Sequence, residues 1–164
     1  MKKILVIEDE DLIREAIHLI LRVNGFEVFT AENGALGIEL AKVCSPDLVV
    51  SDIMMPEKDG YEVLEALRNY PATASVPFLF LSAKADSSDI RQGMNLGADD
   101  YLTKPFEHDQ LVAAVQTRLA KSEEIRKNAE KKLDDLRTNI AFSLPHEFLT
   151  PLHGTLGNSK MMKD

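Results

Sequence analysis

Short apolar runs alternate with amphipathic stretches over the first two thirds of the chain. Runs at Ile4–Ile7, Phe26–Thr30, Leu48–Val50, Phe78–Leu81 and Tyr101–Leu102 predict five strands. The first, third and fourth are apolar throughout, the mark of strands covered on both faces of a sheet. Between them lie helix-period stretches at about 11–23, 34–43, 60–69 and 87–96, and a last one begins at about 106. This (βα)₅ alternation predicts a doubly wound α/β fold, with a parallel sheet, right-handed crossovers and helices on both sides. Ligands in such a fold sit beyond the carboxyl ends of the strands, so the chemistry is sought there.

The last helical stretch has no stop signal. From Phe106 there is no Gly or Pro until Pro145, and a seven-residue register runs through Val112, Val115, Leu119, Ser122, Arg126, Ala129, Leu133, Leu136, Ile140 and Ser143. Seven of these ten are apolar, which predicts a helix that leaves a globular domain and becomes a parallel coiled coil, weakest at Ser122 and Arg126. The expected organisation is a domain over 1–120, a coiled-coil linker over 121–144 and a further helical segment over 145–164. A homodimer through the C-terminal helix follows, since a lone solvated helix is marginal.

Composition sharpens this picture. With 164 residues, 45% of them apolar and 28% charged, the chain supports a globular core and is too short for a two-domain enzyme. Residues 1–120 carry 11 Lys and Arg against 20 Asp and Glu, whereas 121–164 carry 8 against 7. An acidic first part with a chain pI near 5.0 argues against a nucleic-acid partner, because phosphate neutralisation needs clustered cations. The only cysteine, Cys44, reads as a small buried side chain. Basic residues precede the first apolar run, but that run stops at Glu8-Asp9-Glu10-Asp11. No signal peptide, membrane span or membrane partner is expected, and the location expected is cytoplasmic.

The predicted strand ends carry a consistent chemistry. Strand one ends in Glu8-Asp9, strand three in Asp52 and strand four in Ser82-Ala83, and strand five is followed by Lys104-Pro105. A parallel sheet brings all of them to one edge. Three carboxylates there repel one another, and a hard divalent cation with water in its shell, Mg²⁺, relieves them. Lys104 and the Ser82 hydroxyl suit phosphoryl oxygens, and Asp52 suits a carboxylate nucleophile.

These residues, with Asp52 followed by Met54-Met55-Pro56 and Asp59-Gly60, then Phe80-Leu81-Ser82-Ala83 and Gly97 through Phe106, make 1–120 resemble a receiver domain of two-component response regulators. The resemblance implies a flavodoxin-like sheet of order 2-1-3-4-5. It also implies that Asp52 accepts the phosphoryl group, that Asp9 and Asp52 ligate Mg²⁺ with the Met54 carbonyl, and that Glu8 acts mostly through water. Lys104 would pair with phosphoryl oxygens, Ser82 would move to bond one, and Tyr101 would change rotamer with it. A cis Lys104-Pro105 peptide is expected. Glu8 stands where many relatives have Asp. Met54 and Lys84 occupy rim positions that tune hydrolysis, and an apolar Met54 predicts a long-lived phosphoryl-aspartate. The implied phosphodonor is a histidine kinase or a phosphotransfer protein.

Near the end, His146-Glu147-Phe148-Leu149-Thr150-Pro151-Leu152 resembles the phosphoacceptor box of a histidine kinase dimerisation helix. That resemblance makes His146 a phosphorylated nucleophile, Glu147 its base and Thr150 a water-positioning hydroxyl. Pro145 and Leu149 depart from the pattern. His18 and His108 read as surface residues, and His153 as a bystander. No Gly-rich nucleotide motif is present, so the expectation is the front of a receiver-linked histidine kinase, in which the receiver relays to His146 through the helix. The alternative is a stand-alone response regulator whose helical tail is an interaction scaffold. A phosphatase with an aspartyl nucleophile is disfavoured, because Met54 stands where such enzymes place a second acid.

Overall fold

The computed structural model describes the backbone of residues 1–83, 87–95 and 97–152, and the side chains of these except 87–90 and 140–152. Ten elements alternate: β1 (Lys3–Ile7), α1 (Asp11–Val23), β2 (Glu27–Ala31), α2 (Gly34–Cys44), β3 (Leu48–Asp52), α3 (Gly60–Arg68), β4 (Phe78–Ser82), α4 (Ser87–Asn95), β5 (Asp100–Thr103) and α5 (His108–Leu152). All five strands are parallel, in the order β2-β1-β3-β4-β5. The fold is flavodoxin-like, as the resemblance implied.

The sheet divides its side chains by the two-residue period of a strand. Leu5, Ile7, Val49, Phe78 and Phe80 face one way and pack with Ile38 and Ala41 of α2 and Val63, Leu64 and Leu67 of α3. Ile4, Val6, Leu48, Val50, Leu79 and Leu81 face the other and pack with Ile17, Ile20 and Leu21 of α1 and Leu111 and Val115 of α5. Both faces are covered, which is why β1, β3 and β4 are apolar without alternation. Each such side chain contributes on the order of 1.5–3 kcal/mol when fully buried. Cys44 is buried and unbonded.

Helix starts agree with local chemistry. The Asn33 side chain accepts from Leu36 N at 2.8 Å at the start of α2. Asp59 and Glu62 form a reciprocal capping box on α3, with bonds of 2.9 and 3.1 Å.

The chain divides into two compact units, Met1–Ser122 and Glu123–Asp164. This bears on the seven-residue register. Val115 is fully buried in the core of the first unit, and Val112 and Leu119 pack partly buried against it. Those three positions therefore pack toward the sheet within the first unit. In the second unit, Ile125, Leu133 and Leu136 are exposed on the helix surface. Arg126 bonds Glu123 and, at 3.0 Å, Glu130, so it is engaged in ion pairs along its own helix.

Candidate functional site

Two strands deliver the acidic cluster. β1 ends one residue before Glu8, β3 ends at Asp52, and the two strands, paired in parallel, run to the same edge. One carboxylate oxygen from each of Glu8, Asp9 and Asp52 lies within 4.8 Å of the others. Glu8 is fully buried and Asp52 nearly so. Three acids this close are tolerable only with positive charge among them.

Lys104 supplies part of it. Its peptide bond with Pro105 is cis, its own N–H donates to the Ser82 carbonyl at 2.6 Å, and its Nζ lies 2.6 Å from Glu8 Oε1 and 3.3 Å from Asp52 Oδ2. Burial alone would lower the Lys104 pKa, but the hydrogen bond to Glu8 and the charges of Asp52 and Glu8 outweigh it and hold the ammonium above its ordinary value. The remaining Asp52 oxygen, Oδ1, accepts from Ile53 N at 2.8 Å. The Asp52 carboxylate is thus oriented from both sides.

Asp9 is different. Its Oδ1 is buried and has no hydrogen-bond partner among the described residues. Burial, then the neighbouring Glu8, raises its pKa above the usual carboxylate range. A buried, unpaired carboxylate oxygen beside two more acids is a donor set suited to a hard divalent cation, so the residues present fit Mg²⁺. Bound there, Mg²⁺ would neutralise charge on phosphoryl oxygens.

Other predicted residues fall around this centre. Ser82 is buried at the end of β4, in register with Thr103. Tyr101 lies on β5 in register with Phe80, with its side chain 39% exposed. Met54 is 76% exposed. Lys84 and His153 lie outside the described residues. The backbone of α5 includes His146, Glu147 and Thr150, but their side chains are outside those described. The structure therefore brings together Glu8, Asp9, Asp52 and Lys104, and it gives no side-chain geometry for the second box.

One supporting residue escaped sequence reasoning, and another entered it only as part of the resemblance. Arg14 Nη1 donates to the Glu8 carbonyl at 2.9 Å, and its Nη2 reaches Asp11. The signal was present: a cation near a helix N-terminus opposes the macrodipole and asks for an explanation. Gly60 is the other. A Cβ there would strike the Asp52 carbonyl oxygen and come within 2.9 Å of Ile53 Cα, so α3 can start this close to Asp52 only on a glycine.

The fold and the site define a class: a doubly wound α/β phosphoacceptor domain with a lysine-bridged acidic pocket at the strand carboxyl ends. Comparisons place it further. The family model for the response regulator receiver domain matches residues 4–116, and the chain belongs to that family. It is 42% identical over 137 residues to the transcriptional regulatory protein DltR of Streptococcus agalactiae, covering 84% of this chain and 60% of that relative. The chain spans 51–60% of the length of curated relatives such as these. A response regulator of Chloroflexus aurantiacus J-10-fl superposes with a TM-score of 0.70 at 36% identity, covering 73% of this chain and 98% of that one. The receiver domain of the sensor histidine kinase PA1611 of Pseudomonas aeruginosa, solved with a magnesium ion coordinated in its active-site cleft, gives 0.68 at 28% identity, with coverage of 73% and 98%.

Proposed function

We propose that this chain is the receiver part of a response regulator, that Asp52 is its phosphoacceptor, and that Mg²⁺ is its cofactor. The observation that carries this is the Asp52 carboxylate, fixed by Ile53 N at 2.8 Å and facing Lys104 Nζ at 3.3 Å, within 4.8 Å of the Glu8 and Asp9 oxygens. An Asp52 oxygen attacks phosphorus, and the bond from phosphorus to the donor breaks. The donor leaves as acetate from acetyl phosphate, or as the free imidazole of a histidine kinase or phosphotransfer protein. Lys104 balances the charge on the transferred group, and the Ser82 hydroxyl donates to one of its oxygens. Tyr101, on β5 and 39% exposed, would change rotamer with Ser82. Asp9 and Asp52 would hold the cation, with the Met54 carbonyl completing its shell.

The match to a relative named as a transcriptional regulator favours a response regulator whose helical tail is an interaction scaffold. In this reading the exposed Leu133 and Leu136 pair two chains. The receiver unit, with its acidic excess, is a poor match for a nucleic-acid backbone, so any control of transcription would run through the share of the relative's length that this chain does not span. Among the described residues no helix is long and apolar enough to cross a membrane.

A second reading is favoured by the box at His146, Glu147 and Thr150 on α5 and by the likeness to the receiver of a sensor histidine kinase. There the receiver relays to a kinase core. One experiment separates the two. Acetyl phosphate with Mg²⁺ should add one phosphoryl group by mass spectrometry, lost in Asp52→Asn. Under the response-regulator reading the label should remain entirely on Asp52, and transfer to His146 would favour the relay. Phosphorylation that persists in Asp52→Asn would overturn both.

A further inference from the structure

Three steps of the chain carry one latent chemistry: Asn24-Gly25, Asn33-Gly34 and Asp59-Gly60. A side-chain carbonyl carbon followed by glycine lies open to the next main-chain nitrogen, because the glycine has no Cβ to hinder the approach and turns freely. Sequence alone does not separate the two asparagines, and packing does. Gly34 and Gly60 are buried first residues of α2 and α3. A Cβ at Gly34 would come within 2.6 Å of the Lys58 carbonyl oxygen and 2.8 Å of Val63 Cγ2, and one at Gly60 would strike the Asp52 carbonyl oxygen, so neither backbone has room to swing into a ring with the side chain before it. Those side chains are also held as helix caps: Asn33 accepts from Leu36 N at 2.8 Å and Asp59 from Glu62 N at 2.9 Å. Asn24 and Gly25 are both exposed, and nothing lies within 4 Å of the place where a Gly25 Cβ would stand.

We infer that Asn24 is a site of spontaneous deamidation, and that Asn33 and Asp59 are protected by the packing of the glycines that follow them. The Gly25 nitrogen attacks the Asn24 side-chain carbonyl carbon and gives up its proton, and ammonia departs to leave a succinimide ring. Water then opens the ring at either carbonyl, giving an aspartyl residue or an isoaspartyl link whose main chain runs through the side chain. The last turn of α1 gates the step. Asn24 Nδ2 donates to the Ile20 carbonyl at 2.7 Å and the Gly25 N–H to the Arg22 carbonyl at 3.1 Å, so both reacting groups must first leave the helix end, which opens locally at less cost than the core. Afterwards the new carboxylate has no proton to donate to Ile20 and stands at the negative end of the helix dipole. The turn therefore does not close as before. It lines a groove where Leu19, Ile20 and Val23 of α1 meet Val112 and Gln116 of α5, so the change loosens α1 where it faces α5.

The test is incubation of the whole chain in mildly alkaline buffer, with and without unfolding concentrations of urea, followed by peptide mapping in the mass spectrometer and enzymatic methylation of isoaspartyl groups. In the folded chain Asn24 should convert at least about tenfold faster than Asn33, as expected where one helix end opens locally and the other is packed. In urea the two should convert at similar rates. Equal rates in the folded chain, or a faster Asn33, would overturn the inference. So would a preference for Asn24 that persists unchanged in urea, since neighbouring residues rather than packing would then set it. Conversion of both in urea and of neither in the folded chain would show that the end of α1 does not open, with the same result. Asn24→Asp reproduces the aspartyl product and should speed amide exchange over Ile20–Val23, and unchanged exchange there would overturn the claim that the product loosens α1.

Discussion

β1, β3 and β4 and the helix over 123–139 are both rich in periodic apolar residues, yet they end in opposite environments. Ile4 through Ile7 are fully buried, whereas Leu133 and Leu136 are 47% and 55% exposed. The strands find their partners within the chain, since two layers of helices cover both faces of the sheet. The second unit has its apolar stripe and a set of ion pairs along one helix, among them Arg126 with Glu130 and Arg137 with Asp134. A helical period makes a helix possible, but only a second surface gives its apolar stripe something to bury. In the first unit that surface is supplied by covalent connection. In the second, Leu133 and Leu136 stay exposed among the described residues.

The largest break in this contrast should come from the core. Leu64→Ala, at a fully buried side chain between α3 and the sheet, should cost about 2–5 kcal/mol in denaturant unfolding, whereas Leu133→Ala should change receiver stability by less than about 0.5 kcal/mol. A comparable loss at Leu133 would mean that the tail is part of the receiver's cooperative unit. Gly60→Ala should come next. The new methyl meets the Asp52 carbonyl and the Ile53 backbone, so stability should fall by about 1–3 kcal/mol, and the rate of Asp52 phosphorylation by acetyl phosphate should fall with it. Unchanged kinetics would show that α3 moves without disturbing the acceptor.

Smaller effects probe the tail and the helix starts. Sedimentation should give the proposed dimer for the unsubstituted chain, and Leu133→Glu with Leu136→Glu should give monomers with an unchanged near-ultraviolet spectrum of the receiver. A dimer that survives would place the interface elsewhere. Asp59→Ala removes a capping box and should cost about 1 kcal/mol. Since the lost contact lies in the loop after Asp52, the change should be visible in amide exchange of α3 before it is visible in global unfolding.

Much of this was legible in the sequence. The five strands and five helices follow from apolar runs and helical periods, and their observed bounds differ from the expected ones by two residues or fewer. Asp52, Asp9, Glu8 and Lys104 were picked out because polar residues at matched strand ends stand out against apolar runs. The register at Val112, Val115 and Leu119 was harder, because a stripe that packs on a sheet and a stripe that packs on another helix have nearly the same period. Only the position of α5 against β1, β3 and β4 shows that the first part of that stripe is consumed by the domain.

The sequence by itself determined the element order, the parallel sheet and the kind of chemistry at its edge, because those depend on period and residue type along a line. Pairings across that edge depend on distances between residues far apart in the chain, such as Lys104 and Glu8, 96 positions away. Tertiary structure alone decided that Lys104 sits nearer Glu8 than Asp52, that Asp9 is left with a buried unpaired oxygen, and that Arg14 holds the loop between them. Each of these turns on a few tenths of an ångström and on which atom faces water, and neither is written in spacing.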